Sequence, residues 1–450
     1  MSGIDLADSV VYGHLWATEE TRALLGDEGR THAWVQIIAA LAVEQGELGL
    51  IPAAAAAELA GLAGHPLDLV AVGEETRATG HSTLGLIRVL RRPLGLEAAE
   101  WIYYGATVQD VTDTWFGLVM QRTLAIARRE LEATEAALLG HAERHRDTLM
   151  LGRTHGQPGL PITFGFKAAL WAAEVRRHLE RMREAEPRLA VGQLAGAVGT
   201  LSAYGEAGPE LQRRLMARLG LGVPDASWLT ARDRIAEFLG VLAMLTGTLA
   251  KIGNEVYNLQ RPELGELSEA PTEGVVGSIT MPQKRNPERS EHLATLARLV
   301  RADAALALEG MTGEHERDGA AWKTEWQALP RAVAASSVAL AFARELVEGL
   351  RVDATRMRAN LDAQRGYVLA EPAMLALAAR IGKHRAHELV HRAALAGQEL
   401  GVTLEDALAG DEEIAAALPR EELAALLRPE AALGAAREMV DAIVARGRGQ

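Results

Sequence analysis

From Gly277 to Pro287 the chain reads Gly-Ser-Ile-Thr-Met-Pro-Gln-Lys-Arg-Asn-Pro. A hydroxyl (Ser278), a compact cation (Lys284) and an amide (Asn286) thus share one short segment. Lysine and amide donors together suit a carboxylate on which negative charge builds up. His81 in Gly-His-Ser-Thr (80–83) and His155 in Gly-Arg-Thr-His-Gly-Gln (152–157) have similarly glycine- and hydroxyl-rich neighbours. Taken alone, either would more often be a satisfied structural histidine. Thr107 and Gln157 are candidate polar contacts, and Arg317 stands in His-Glu-Arg-Asp (315–318). His387-Glu388-Leu389-Val390-His391 spells the pattern that sets two zinc ligands and a glutamate base on one helix face. No histidine follows it, and Glu399 or Glu405 would have to complete the set. Gly-Gln-Leu-Ala-Gly-Ala-Val-Gly-Thr (192–200) lacks the preceding strand of a dinucleotide fingerprint. The expectation is therefore no metal and no cofactor.

The Gly277–Pro287 segment resembles the GSxxMPxKxNP signature of the fumarase/aspartase superfamily, matching at Gly277, Ser278, Met281, Pro282, Lys284, Asn286 and Pro287. Tyr104–Thr114 and Gly152–Gly165 resemble that superfamily's first and second conserved regions, in the same order. The tail from His315 through Trp322-Lys-Thr-Glu-Trp326 to about residue 445 most resembles bacterial 3-carboxy-cis,cis-muconate cycloisomerases. The resemblance implies an all-α subunit of three domains with a long central helical bundle. It also implies a homotetramer with active sites shared between subunits, acting on a small-molecule carboxylate. The reaction implied is elimination of a group β to a carboxylate, usually releasing fumarate, or a related addition or cyclisation. Removing the proton beside the carboxylate makes a dianionic aci-carboxylate, which needs cations and donors already in place.

By this match Ser278 is the general base, in a dry, donor-rich site that lets its hydroxyl ionise. A glycine-flanked loop closing over substrate would create such a site when needed. Lys284 and Asn286 hold the carboxylate, with Thr107 and Gln157 as further contacts. His155 matches the general acid of adenylosuccinate lyases, His81 a second active-site histidine of that group, and Arg317 a substrate-contacting arginine. Departures narrow the branch. Where adenylosuccinate lyases carry a serine and an arginine that hold the nucleotide phosphate, this chain has Trp322 and Trp326. An indole cannot replace a guanidinium's bidentate clamp. Val108 replaces a serine, Ala231 a glutamine, and the N-terminus lacks a basic Arg-Tyr element. The cycloisomerases, conversely, lack both histidines. The resulting expectation is a lyase that eliminates fumarate or a close analogue from a small non-nucleotide substituted succinate, such as nitrosuccinate or an N-substituted aspartate. A muconate cycloisomerase and an adenylosuccinate lyase are the alternatives, and a non-catalytic binding protein on the same fold is a third.

Helices must position these groups. Ala and Leu dominate the 450 residues, aromatics are 4%, and both favoured residues form helix well. Apolar spacing predicts an amphipathic helix over 28–48 and another over 82–93. Long helices are predicted over 108–146, 162–185, 230–262, 288–310 and 321–350, enough for a central bundle. The stretches between them, 152–163, 192–200 and 264–287, read as loops held by that scaffold. Shorter helices broken by Gly401, Gly410 and Pro419 follow, giving an expected division into 1–105, 106–350 and 351–450. A net charge of −13 argues against nucleic acid. Zero cysteines remove disulfides and thiolate chemistry. The acidic start shows no secretory signal, and no uninterrupted apolar stretch reaches the ~18 residues of a spanning helix. A cytoplasmic protein without membrane partners is expected.

Overall fold

The computed structural model describes residues 5–271, 274 and 278–449; Gly277, first residue of the signature, lies outside them. Helices Asp27–Glu47, Leu84–Arg91, Val108–Arg144, Phe164–Leu189, Asp233–Leu259, Glu288–Glu309 and Gly319–Glu348 occupy the predicted ranges to within a few residues. The all-α architecture is found. Two compact units separate: 1–130 with 178–249 and 293–341, and 131–177 with 250–292 and 342–450. Their boundaries fall inside the long helices.

In the first unit, Asp27–Glu47 turns Trp34, Ile37, Ile38 and Leu41 inward. Leu69–Thr79 is capped by the Asp68 side chain and ends at Gly80, whose φ of +63° a side chain would resist. Val108–Arg144 opens with a capping-box arrangement, in which the Asp110 carboxylate reaches back to accept the Thr107 N–H at 2.8 Å. A satellite core of Leu194, Tyr204, Leu211, Leu215 and Leu221 lies under the 192–200 segment.

The second unit holds one departure from expectation. Residues 152–163 are not an irregular loop but most of an antiparallel hairpin, Leu149–Thr154 against Gln157–Thr163. Leu149 and Leu151 pack with Leu361, Leu433 and Ala436, which drives the strand inward. Pro158 and Pro161 are tolerated because each strand of a two-stranded ribbon is an edge. Leu404–Ala409, Glu412–Ala417 and Arg420–Leu426 close over a second core around Leu377, Leu389 and Ile414, with Gly401 and Pro419 punctuating them as expected. Asp233–Leu259 is long and apolar enough to cross a membrane, but 67% of its most apolar window is buried in the fold.

Candidate functional site

His81, Thr107 and Arg317 belong to the first unit; His155, Gln157, Ser278, Lys284 and Asn286 belong to the second. His81 is exposed, and its Nδ1 accepts the N–H groups of Thr83 and Leu84, both at 3.2 Å. Two donors on Nδ1 require a lone pair there, which puts the ring proton of the neutral imidazole on Nε2.

Thr107 and Arg317 meet although 210 residues separate them. The Arg317 Nη2 donates to Thr107 Oγ1 at 3.1 Å and to the Gly196 carbonyl at 3.1 Å. Thr107 Oγ1 donates in turn to Asp110 at 2.9 Å. Asp110 also accepts the N–H groups of Thr107, Ala195 (2.7 Å) and Gly196 (3.3 Å). Burial pushes its carboxyl up to about 6, against the pull of those donors. The Tyr103 phenol is driven well above its ordinary range, chiefly by burial and then by Asp110. Among the described residues, Tyr103, His155 and His315 are three of five non-glycine residues with positive φ, at 66°, 53° and 54°. Such backbone is costly for L-residues and concentrates where geometry is dictated by function. Asp110 was not among the expected site residues; its spacing from Thr107, the T-x-x-D of a capping box, was the available signal.

Beneath this network, Arg232 is buried between Asp113 and Glu325. Its Nη1 donates to Asp113 Oδ2 at 2.8 Å and its Nε to Glu325 Oε1 at 2.9 Å. Trp322 is buried too, and its indole N–H donates to Asp113 Oδ1 at 3.1 Å. Trp326 packs edge-on against both Trp322 and Trp34. Both indoles are thus part of the packing of the first unit.

In the second unit His155 and Gly156 form the two-residue turn of the hairpin, both with positive φ (53° and 76°). That is the conformation a twist-matched hairpin turn demands. His155 and Gln157 are exposed on this tip. Just below that tip the Arg153 guanidinium grips Glu266 in a fork, with Nη1 2.9 Å from Oε2. Asn360 adds a donor at 2.8 Å. Glu266 sits at the start of the segment leading to Ser278.

Ser278 is half-buried, and its Oγ accepts the Met281 N–H at 3.0 Å. The Met281 carbonyl accepts the Lys284 N–H at 2.9 Å, closing a turn with Pro282 at its second position, where proline's fixed φ fits. Lys284 is exposed, and Asn286 Nδ2 reaches Glu288 at 3.4 Å. Glu269 ties the loop's two ends together by accepting from Ser290 N–H (2.8 Å) and Ser290 Oγ (2.7 Å) at the start of Glu288–Glu309. Among the described residues, no hydrogen bond within the chain joins Ser278, Lys284 or Asn286 to His155 or Gln157. His387 and His391 stack on Lys383–Leu400 with centroids 6.0 Å apart. No metal-binding group of three residues occurs among the described residues.

Residues 21–301 match the family model described as "Lyase", and residues 366–443 match "Adenylosuccinate lyase C-terminus". N-acetyl-S-(2-succino)cysteine lyase of Dickeya dadantii (strain 3937) is 39% identical, covering 98% of this chain and 97% of its own length. The 3-carboxy-cis,cis-muconate cycloisomerase of Pseudomonas aeruginosa is 38% identical over 94% of this chain and 93% of that protein. The crystal structure of a fumarate lyase from Mesorhizobium sp. BNC1 superposes with a TM-score of 0.89 at 36% identity, covering 95% of this chain and 98% of that one. The chain is therefore an enzyme of the fumarase/aspartase superfamily of lyases, in the branch that contains the muconate cycloisomerases and adenylosuccinate lyases.

Proposed function

We propose that this lyase releases fumarate from a small substituted succinate whose leaving group is not a nucleotide. The observation that carries this reading is the Ser278–Asn286 segment, which holds hydroxyl, cation and amide on one turn-built loop. Ser278 Oγ takes the proton from the carbon beside one carboxylate. Lys284 and Asn286 stabilise the aci-carboxylate dianion, the electron pair forms the new C=C bond, and the bond to the leaving group breaks. His155 gives the departing atom its proton, with His81 the second candidate through its Nε2–H. The backbone N–H already donated to Ser278 Oγ favours the ionised form of that oxygen.

For the leaving group, the Dickeya relative's name points to a thiol, as in N-acetyl-S-(2-succino)cysteine. Nitrogen-linked succinates, N-substituted aspartates and nitrosuccinate, come next. Trp322 and Trp326 support the non-nucleotide assignment, since indoles packed inside the unit offer a phosphate no guanidinium. A muconate cycloisomerase is the second reading, favoured by the Pseudomonas relative; His81 and His155 weigh against it. We further read the chain as a cytoplasmic homotetramer with active sites shared between subunits. Exposed Leu299 and Leu306, two turns apart on one face of Glu288–Glu309, support assembly as an apolar stripe seeking cover.

The test is a panel of N-acetyl-S-(2-succino)cysteine, an N-substituted aspartate, nitrosuccinate, adenylosuccinate and 3-carboxymuconate, followed at the fumarate absorbance. Fumarate should appear from the thioether or a nitrogen-linked analogue, and Ser278→Ala should abolish it with helical content unchanged. Loss of the 3-carboxymuconate absorbance alone, without fumarate release, would establish the cycloisomerase, and an active Ser278→Ala enzyme would remove the base assignment.

A further inference from the structure

We infer that Asp110 is a positioning residue that presets Arg317 for the anionic substrate, acting through the Thr107 hydroxyl and the Gly196 backbone. This rests on the proposed reading of Arg317 as a substrate contact. A threonine hydroxyl has one proton to give, and that of Thr107 is directed to Asp110 at 2.9 Å. Its lone pair is thereby turned toward Arg317, whose Nη2 donates to it at 3.1 Å. The second hydrogen of Nη2 goes to the Gly196 carbonyl. Gly196 is in turn fixed by its own N–H on Asp110, helped by φ of +77°, which glycine adopts without strain. One carboxylate therefore sets both acceptors that grip a single guanidinium nitrogen.

What remains of Arg317 is informative. Its Nε is buried without a hydrogen-bond partner, and no carboxylate pairs with it among the described residues. A buried cationic donor left unpaired is costly unless an anion completes it. Two uncharged partners, the Thr107 hydroxyl and the Gly196 carbonyl, hold the guanidinium without neutralising it, so the positive charge stays available for a substrate carboxylate. A carboxylate paired directly with Arg317 would cancel that charge. Placing Asp110 one hydroxyl away orients the cation and leaves its remaining donors open. The same logic moves Thr107 from a direct substrate donor to the link between Asp110 and Arg317.

The test is a mutant cycle on the full-length enzyme, read as the inhibition constant of succinate, a non-reacting dicarboxylate, alongside KM and kcat. Asp110→Asn brings an amide N–H toward groups that are already donors, and Thr107→Val deletes the hydroxyl while keeping the side chain's shape. Arg317→Gln, Asp110→Asn and Thr107→Val should each raise the succinate constant and KM by roughly 10- to 100-fold, the range of a charge-assisted hydrogen bond. Changes in kcat should be smaller. Asp110→Asn combined with Arg317→Gln should bind no worse than Arg317→Gln alone, because both act through one guanidinium. Full additivity in that double variant, or unchanged binding in Thr107→Val, overturns the inference while leaving Arg317 a substrate contact. If Arg317→Gln itself leaves succinate binding intact, the substrate-contact reading fails. Should Asp110→Asn not fold, Thr107→Val combined with Arg317→Gln decides by the same non-additivity.

Discussion

Arg232→Met should be among the most destabilising single changes in the first unit, and its cost should depend on pH. The guanidinium is 1% exposed, and its partners Asp113 and Glu325 are 0% and 1% exposed. All five of its N–H donors are used, on Asp113, Glu325 and the Trp228 carbonyl. Removing one member of a buried pair costs about 3–5 kcal/mol. Here two carboxylates lose the cation they share, which places the expected loss at about 5 kcal/mol. Asp113→Asn is milder, because Arg232 keeps Glu325; one weakened set of hydrogen bonds costs about 1–3 kcal/mol. The pH signature separates this account from a mere packing defect. Burial already pushes Glu325 upward with Arg232 beside it, and without the cation its carboxyl should take up a proton in the folded state. Groups whose folded pKa is raised contribute stability that is complete below their unfolded values, near 4, and lost as pH rises through the folded values. The gap between wild-type and Arg232→Met urea midpoints should therefore be wide at pH 8 and narrow toward pH 5. A gap that is the same at both pH values would refute the reasoning, as would a loss below about 1 kcal/mol.

Lys284→Met should raise KM and lower kcat together, since the cation serves the carboxylate in both ground and transition states; steady-state kinetics showing kcat/KM within roughly threefold of wild type would sink that role. Stability should also fall on the acid side. Burial depresses His141 and His145 below the ordinary histidine value. Their contribution is therefore present above about 6.5 and lost as pH drops through the depressed folded values. His141→Gln should flatten the decline in Tm between pH 7 and pH 5, and an unchanged slope would assign the acid sensitivity elsewhere.

The helices were legible because their cause is local. Ala- and Leu-rich runs with 3.6-residue apolar spacing need no distant partner to be recognised, and Gly401 and Pro419 punctuate elements by their own backbone limits. The hairpin at 149–163 was not, because its glycines and prolines read as loop. Only the packing of Leu149 and Leu151 on Leu361 and Leu433, more than two hundred residues away, makes strands of it. The same division runs through the candidate site. Ser278, Lys284 and Asn286 could be named because they share one segment and a signature. Glu266 and Glu269 could not, because each acts by meeting a group elsewhere, Arg153 and Ser290 respectively. Asp110 offered only its capping-box spacing from Thr107, with no hint of its hold on Gly196. Carboxylates that brace a site carry no catalytic motif of their own, and they look like ordinary capping, helix or loop acids until the partner is in view. Residues that touch substrate are confined by the reaction to particular types at particular spacings. Residues that hold them in place answer only to geometry, and that part of the chemistry becomes readable once the chain has folded.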